Sequence, residues 1–363
     1  MNEKQRLAFH IITSHVGDIH DCEQVRMIVC GTAGTGKTYL ISSLRQVLGD
    51  QCIITATTGI AVFSINGQTL HSAAQLPIHD YRQLQGDSLQ RSQLRLEGKR
   101  FLIVGEMSMI GQKMLSWLDN RLRAGTGKED VPFGGMSVVL IGDFVQLPPV
   151  DDTPMYIADN GTVTSYHGHS LFLTFNSVII LEQVMRQASE DPEAISFRGL
   201  LMRMRDGHIT EDDWKLLLEH YTTNVPMDTL SDAIRLFFDK KSVAEYNYEK
   251  LLEMRQPVVK IEARHSVRGA IAATSDDAGN LEAILYLSIK SEVMLTSNLW
   301  AEVGLCNGSF GTVDQIWYAE NRGPPNPPVA VLVHFPAYCG PAFLRACSKC
   351  IPVPPKVFEW MAD

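Results

Sequence analysis

Several features that classify a protein quickly are absent from this 363-residue sequence. No uninterrupted apolar run approaches about 18 residues, so no membrane-spanning helix is predicted. The first residues lack the apolar stretch and the small-residue cleavage site of a secretory signal. Internal repeats and low-complexity tracts are also missing, which excludes solenoid and fibrous architectures. The sequence therefore predicts a globular chain with ordinary packed cores.

Positive charge is scarce relative to negative charge. The 32 Lys and Arg residues against 41 Asp and Glu residues give a net charge of −9. This balance argues against a non-specific nucleic-acid coat protein, but it does not exclude a local basic channel. Apolar residues make up 45% of the chain, which is enough for a sizeable core. The length predicts roughly two or three domains.

Cysteine is also sparse, with seven residues in the chain. An odd number without a secretory signal predicts reduced thiols in an intracellular compartment. Cys347 and Cys350 form one C-x-x-C, and His334 and Cys339 lie shortly before it. The number and spacing of these four residues would permit a Cys₃His zinc site. A single close pair of cysteines, however, favours ordinary thiols.

The strongest positive signal is a glycine-rich segment that matches G-x-x-x-x-G-K-[ST] without a mismatch. It consists of Gly31, Thr32, Ala33, Gly34, Thr35, Gly36, Lys37 and Thr38. The apolar run 25–30 before it predicts a buried strand, and the spacing of 39–48 predicts a helix. Backbone N–H groups at such a junction can surround a polyphosphate. We therefore predict a P-loop rather than a chance turn, with Lys37 at the β and γ phosphates and Thr38 on Mg²⁺.

Two polar residues follow the next apolar strand candidates. Glu106 comes after the run 101–104 and is predicted to polarise the attacking water, the alternative being a carboxylate at a helix N-terminus. Gln146 follows the run 137–141 and is predicted to bind a γ-phosphate or that water. Gly105 stands where an Asp normally helps to hold Mg²⁺, which weakens the predicted metal site.

Taken in order, these motifs resemble the Pif-one-type DNA helicases of superfamily 1B, especially the eukaryotic branch that includes Helitron-transposon helicase domains. The segments that carry the resemblance are 2–9, 31–38, 55–72, 103–109, 132–150, 181–187 and 293–311. The resemblance extends from residue 2 to about residue 355. Its specificity comes from the order of the motifs, since no single motif would be specific.

The predicted architecture is α/β, and the resemblance divides it into four parts. A P-loop RecA-like motor domain covers 1–185, part of a second RecA-like domain covers 186–260, a small SH3-like, barrel-like β insertion covers 261–350, and a tail covers 351–363. Strands are predicted at 25–30, 52–56, 101–104, 137–141, 178–181, 234–238, 281–287, 292–296, 311–317 and 329–335. Further helices are predicted at 193–204, 211–220 and 241–254.

The resemblance implies ATP-driven 5′-to-3′ movement on single-stranded DNA, coupled to unwinding of the duplex. ATP and Mg²⁺ are the implied cofactors, and single-stranded DNA and DNA duplex junctions are the implied partners. Repair, recombination and telomere or genome maintenance are the implied roles, in the nucleus or else the mitochondrion. No membrane association is expected, and the sequence predicts no particular protein partner.

The resemblance also assigns roles to individual residues. Gln5 is expected to read adenine, and Arg186 to face the γ-phosphate from the second domain unless it is a surface ion-pair arginine. Thr58, Asn66 and His71 are expected to contact the DNA strand, with a core or capping histidine as the alternative for His71. A basic run lines a phosphate path or forms a solvated helix face. It consists of Arg82, Arg91, Arg95, Lys99 and Arg100.

Two departures from the family pattern support a second hypothesis. One is Gly105. The other is that two later family segments, Ser/Thr-His-Lys-Gln-Gly and Val-Ala-Leu-Ser-Arg, are not found, so a C-terminally truncated second domain is expected. The alternative function is therefore a catalytically impaired, nucleotide- and DNA-binding remnant of a transposon-type helicase. A P-loop kinase or GTPase is disfavoured, because no guanine-reading Asn-Lys-x-Asp occurs.

Overall fold

The computed structural model describes residues 1–16, 23–77, 81–158, 161–185, 191–219, 233–266, 271–272, 275, 278 and 281–357. The chain divides into two compact units, 1–225 and 226–363. Among the described helices, none combines the length and the apolar composition that crossing a membrane requires. The domain limits predicted at 185, 260 and 350 stay predictions.

The first unit is built on a six-stranded parallel sheet. Its strands are β1 (Arg26–Gly31), β2 (Cys52–Ala56), β3 (Gln68–Thr69), β4 (Phe101–Gly105), β5 (Ser137–Gly142) and β6 (Ser177–Leu181). They lie in the order β3-β2-β4-β5-β1-β6. Every residue of β4 and β5 is buried, as expected for central strands covered on both faces. The five strands predicted in this region are confirmed.

The helices of this unit precede, connect or follow these strands, and parallel strands require such crossover connections between them. They are α1 (Glu3–Ser14), α2 (Lys37–Leu48), α3 (Gly59–Ser64), α4 (Leu70–Ala74), α5 (Gly86–Leu96), α6 (Gln112–Thr126), α7 (Val163–Phe172), α8 (Pro192–Arg205) and α9 (Glu211–Glu219). Buried side chains of α4, α6 and α7 join those of β4 and β5 in the main core. The predicted helices at 193–204 and 211–220 are confirmed as α8 and α9, residue 220 lying outside the described residues.

The second unit contains one long helix and two small antiparallel sheets among its described residues. Its elements are α10 (Lys240–Glu253), β7 (Val258–Glu262), β8 (Ile284–Ser288), β9 (Glu292–Met294), β10 (Phe310–Trp317), β11 (Ala330–His334) and β12 (Cys350–Val353). One sheet has the order β12-β11-β10-β9, and β7 pairs with β8. The strands predicted at 281–287, 292–296, 311–317 and 329–335 are confirmed as β8 to β11. The described strands of this unit form open sheets and no closed barrel.

The strand predicted at 234–238 is wrong. No strand forms there, and the side chains of Leu236 and Phe238 are almost fully exposed. The apolar run Ile-Arg-Leu-Phe-Phe has strand character by composition. A strand, however, also needs a neighbour that satisfies its backbone hydrogen bonds, and no described strand pairs with this run.

The cysteine prediction also needs correction. Cys347 and Cys350 are joined by a disulfide, with their Cα atoms 5.4 Å apart. That separation lies within the usual range for a disulfide, so the two cysteines of this C-x-x-C bond to each other without a metal. Within the described ranges, no group of three or more His, Cys, Asp or Glu side chains is arranged to hold a metal ion.

Candidate nucleotide-binding site

The P-loop lies between β1 and α2, where the motif predicts it. Its backbone turns at Gly34 and Gly36, each with a φ of 82°, a conformation that favours glycine. Gly31 has no room for a side chain, because a Cβ there would lie 2.5 Å from Thr35 Oγ1. The buried Thr35 hydroxyl donates to the Thr32 carbonyl at 2.8 Å. No side chain caps α2, so none competes with an anion for the N–H groups of its first turn.

Lys37 points back into this loop. Its Nζ donates to the carbonyl oxygens of Gly31 at 2.7 Å and Thr32 at 3.0 Å. The ammonium group therefore lies among the backbone groups that would surround a polyphosphate. Thr38 is exposed in the first turn of α2, where its hydroxyl can bind a cation. Both positions are compatible with the predicted roles.

Gln5, in the first turn of α1, braces the P-loop through a hydrogen bond. Its side-chain Oε1 accepts from the Asn2 N–H at 2.9 Å within the capping box of α1. Its Nε2 donates to the Thr35 carbonyl at 2.9 Å. The residue is only 3% exposed, so both ends of the amide are already bonded inside the chain. The adenine contact stays a prediction, and the bracing contact is a role that the local sequence pattern did not reveal.

The ends of β4 and β5 meet beside the P-loop. Strand register pairs Gly105 with Ile141 and Cys30 with Gly142. A Cβ on Gly142 would lie 2.8 Å from the Met107 backbone nitrogen, so the two strand ends are in direct backbone contact. The sheet therefore brings the turn after β4 and the loop after β5 to the same edge as the P-loop.

Glu106 occupies the turn after β4 in a left-handed conformation, with a φ of 53°. It is half-buried, and its backbone carbonyl accepts from the Thr57 hydroxyl at 3.0 Å. This bond ties the turn to the end of β2. A non-glycine residue held in this region is uncommon and often marks a functional site.

Gly105 leaves space where the resemblance implies a carboxylate. A Cβ built there would meet its nearest neighbours, Thr55, Ile41 and Ile65, at 3.6 to 3.7 Å. These are ordinary van der Waals distances. The glycine is therefore not required by close packing, in contrast to Gly142.

Gln146 is exposed in the loop after β5, and its backbone N–H donates to the Asp143 carbonyl at 3.1 Å. Asp143 itself is buried and forms an ion pair with Arg205 at 2.7 Å. The sequence reasoning missed this pair. Gly142, Asp143 and Phe144 directly follow the apolar run in the sequence, but the partner of Asp143 lies on α8, far along the chain.

Arg186 lies outside the described residues. The residue before it, Met185, donates its backbone N–H to the Gly34 carbonyl at 2.7 Å. The segment that leads to Arg186 is thus attached to the P-loop.

Two of the predicted DNA contacts, Thr58 and Asn66, lie on the connection between β2 and β3, and the third, His71, lies in the first turn of α4. Thr58 follows β2 and caps α3, accepting from the Ala61 N–H at 3.4 Å. His71 follows β3, and burial lowers the pKa of its imidazole. Both therefore lie at the carboxyl ends of parallel strands. Asn66 is exposed with a φ of 49° and precedes β3, so it lies toward the other end of that strand.

Three members of the basic run hold neighbouring elements through backbone carbonyls. Arg95 binds Ser72, Lys99 binds Asp50 and Arg100 binds Val16. Arg82 and Arg91 are exposed. Much of this run therefore has a structural use, and only part of it is oriented toward solvent.

Comparisons with known proteins agree with this geometry. The model of the PIF1-like helicase family matches residues 1–215. The ATP-dependent DNA helicase PIF1 of Homo sapiens is 31% identical over 306 residues, which cover 81% of this chain and 44% of the human protein. The ATP-dependent DNA helicase Pif1 of Bdellovibrio bacteriovorus is 30% identical over 317 residues, covering 82% of this chain and 66% of that protein. The chain thus spans less than half the length of the human relative.

Solved structures share the fold. The Pif1 helicase of Candida albicans superposes with a TM-score of 0.66 at 22% identity, over 94% of this chain and 76% of that one. A Bacteroides Pif1 helicase in complex with ADP-AlF3 and ssDNA gives a TM-score of 0.62 at 24% identity, over 93% and 73%. Since the family model matches more than half of the chain and its motifs lie on the expected elements, the chain belongs to the PIF1-like helicase family.

Proposed function

We propose that the protein is an ATP-dependent DNA helicase that moves 5′-to-3′ on single-stranded DNA and unwinds duplexes. The observation that carries this proposal is the shared edge of the parallel sheet. The P-loop, the Glu106 turn and the Gln146 loop follow β1, β4 and β5, which are neighbours in the sheet. Ligands of open α/β sheets bind at the carboxyl ends of the strands.

Each group at this edge has a separate task in phosphoryl transfer. Lys37 would bind the β and γ phosphates once a nucleotide displaces it from the carbonyls of its own loop. Glu106 would polarise the attacking water, and Gln146 would orient that water or the γ-phosphate. Arg186 is proposed to stabilise charge on the transferring group.

The residues present fit a magnesium ion, although with few direct ligands. Thr38 would bind it through its exposed hydroxyl and Glu106 through a water. Mg²⁺ usually keeps several waters and takes one or two protein oxygens together with substrate phosphates. When bound, the ion would neutralise charge on the phosphates.

DNA binding is proposed for the face that carries Thr58 and His71. Solved relatives support it, since a Bacteroides Pif1 helicase was crystallised in complex with ssDNA and another study concerns DNA unwinding at forked dsDNA by two Pif1 helicases. We propose single-stranded DNA and duplex junctions as the partners here. Asn66, at the other end of β3, is the weakest of the three candidates.

Of the two departures behind the alternative, a remnant without turnover, Gly105 is the one that lies at this edge of the sheet. The similarity to ATP-dependent helicases over most of the chain supports the active enzyme instead. Because a side chain fits at Gly105, replacing this glycine tests the departure directly.

The first prediction is DNA-stimulated ATP hydrolysis that depends on Lys37. Lys37→Ala removes a cation aimed at the phosphates, and we expect kcat/KM for ATP to fall about 100- to 1,000-fold, as when one preorganised donor is lost. The measurement is Mg²⁺-dependent phosphate release with and without a single-stranded oligonucleotide. Lys215→Ala, which changes an exposed lysine on α9, is the control. Equal rates for Lys37→Ala and wild type would contradict the proposal.

The second prediction concerns Gly105. Gly105→Asp adds a carboxylate where the Cβ meets no close contact. We expect the Mg²⁺ concentration for half-maximal turnover to fall about tenfold, equivalent to about 1.4 kcal/mol. Gly105→Asn, of the same size without the charge, is the control. If both variants require as much Mg²⁺ as wild type, the missing carboxylate does not limit the metal site.

The third prediction separates two roles of Gln5. If Gln5 braces the P-loop, Gln5→Ala removes the buried hydrogen bond to the Thr35 carbonyl together with the capping bond to Asn2. Loss of the Thr35 bond should weaken binding of ATP and of GTP together by about 1 kcal/mol, roughly fivefold. Fluorescent nucleotide titrations measure both. Asn2→Ala breaks the same capping box while keeping the bond to Thr35, and it should leave both affinities unchanged. A loss confined to ATP would establish adenine reading instead.

A further inference from the structure

Asp143 and Arg205 form an ion pair that the proposed function does not use. Arg205 is the last residue of α8, and its Nη2 donates to Asp143 Oδ1 at 2.7 Å. Asp143 is only 5% exposed. Because an unpaired buried carboxylate is costly, this pair fixes the end of α8 against the end of β5.

The pair lies beside the start of the P-loop. Asp143 directly follows Gly142, which is in register with Cys30 of β1. Burial raises the pKa of the Cys30 thiol, the Asp143 charge raises it further, and Lys37 and Arg205 lower it. The charges of Asp143, Lys37 and Arg205 therefore all lie close enough to Cys30 to affect its thiol.

Asp143 also shapes the loop that carries Gln146. The carboxylate oxygen that binds Arg205 accepts the Val145 N–H at 3.1 Å. The Asp143 backbone carbonyl accepts the Gln146 N–H at 3.1 Å. A change in the position of Asp143 would therefore move the backbone of Gln146.

The remaining contacts of Arg205 constrain its guanidinium. Its Nη1 donates to Asp206 Oδ1 at 2.8 Å. Its Nε is buried and has no hydrogen-bond partner among the described residues. Its guanidinium thus bonds two aspartates, of which Asp143 is the buried partner and Asp206 the exposed one.

We propose that Arg205 is a positioning residue, which acts through Asp143 to hold the 143–146 loop so that Gln146 faces the γ-phosphate. The catalytic part of this inference rests on the proposed ATP hydrolysis. The segment that precedes α8 is attached to the P-loop through Met185 and Gly34.

Helix α8 supplies a matched control. Arg203, two residues before Arg205, forms a similar pair with Asp213, its Nε donating to Oδ2 at 2.8 Å. Asp213 belongs to α9 and not to the site. Arg203→Gln therefore removes an arginine–aspartate pair from the same helix without touching the 143–146 loop.

The first measurement is amide hydrogen exchange without nucleotide. We expect the amides of Val145 and Gln146 to exchange faster in Arg205→Gln than in wild type, and to be unchanged in Arg203→Gln. Arg205→Lys keeps the charge and should restore part of the protection. Arg205→Lys also provides the exchange measurement if Arg205→Gln does not fold. Unchanged exchange at Val145 and Gln146 in both Arg205 variants would overturn the proposal.

The second measurement is steady-state ATP hydrolysis. We expect Arg205→Gln to lower kcat about 10- to 100-fold, the effect of a small misplacement of a reacting group, with little change in KM. The double variant with Gln146→Ala should be no slower than Gln146→Ala alone, because both changes act on one group. Additive losses would overturn the proposal. If wild type and Arg203→Gln hydrolyse no ATP, the proposed function fails, whereas the exchange result still decides whether Arg205 positions the loop.

Discussion

Close backbone approach at the carboxyl ends of parallel strands is the constraint on which the site depends. At Gly31 a Cβ would lie 2.5 Å from Thr35 Oγ1, and at Gly142 a Cβ would lie 2.8 Å from the Met107 nitrogen. Any side chain there would push a loop away from its neighbour. Because both positions are glycine, the P-loop closes against its own Thr35 side chain, and the start of the Gln146 loop lies against the backbone that follows Glu106. The chemical groups then extend from these loops toward one edge of the sheet.

The sequence predicts the parallel sheet well for a physical reason. Strands buried on both faces are nearly continuous apolar runs, and each run here is followed by glycine or a polar turn. Prediction fails where pairing decides the structure. The run 234–238 has the composition of a strand but no described partner, and β12 is a strand because it pairs with β11 despite Pro352. Disulfide formation at Cys347 likewise depends on a local turn that composition does not specify.

Some residues of the candidate site could likewise be predicted from the sequence, and others could not. Lys37, Thr38, Glu106 and Gln146 are predicted from local spacing, since a motif and its strand are adjacent in the sequence. The bracing contact of Gln5 and the pairing of Asp143 with Arg205 join residues about 30 and 60 positions apart. Such contacts depend on how helices pack on the sheet, and no local pattern contains them.

The central claim is that one edge of the six-stranded sheet binds the phosphates of ATP. Amide hydrogen exchange of the wild-type chain, with and without ADP and Mg²⁺, tests it most directly. The account predicts increased protection at 31–38 and at 143–146 together, with no change in the sheet formed by β9 to β12. Protection of neither segment at saturating nucleotide, or protection confined to the second unit, would contradict it.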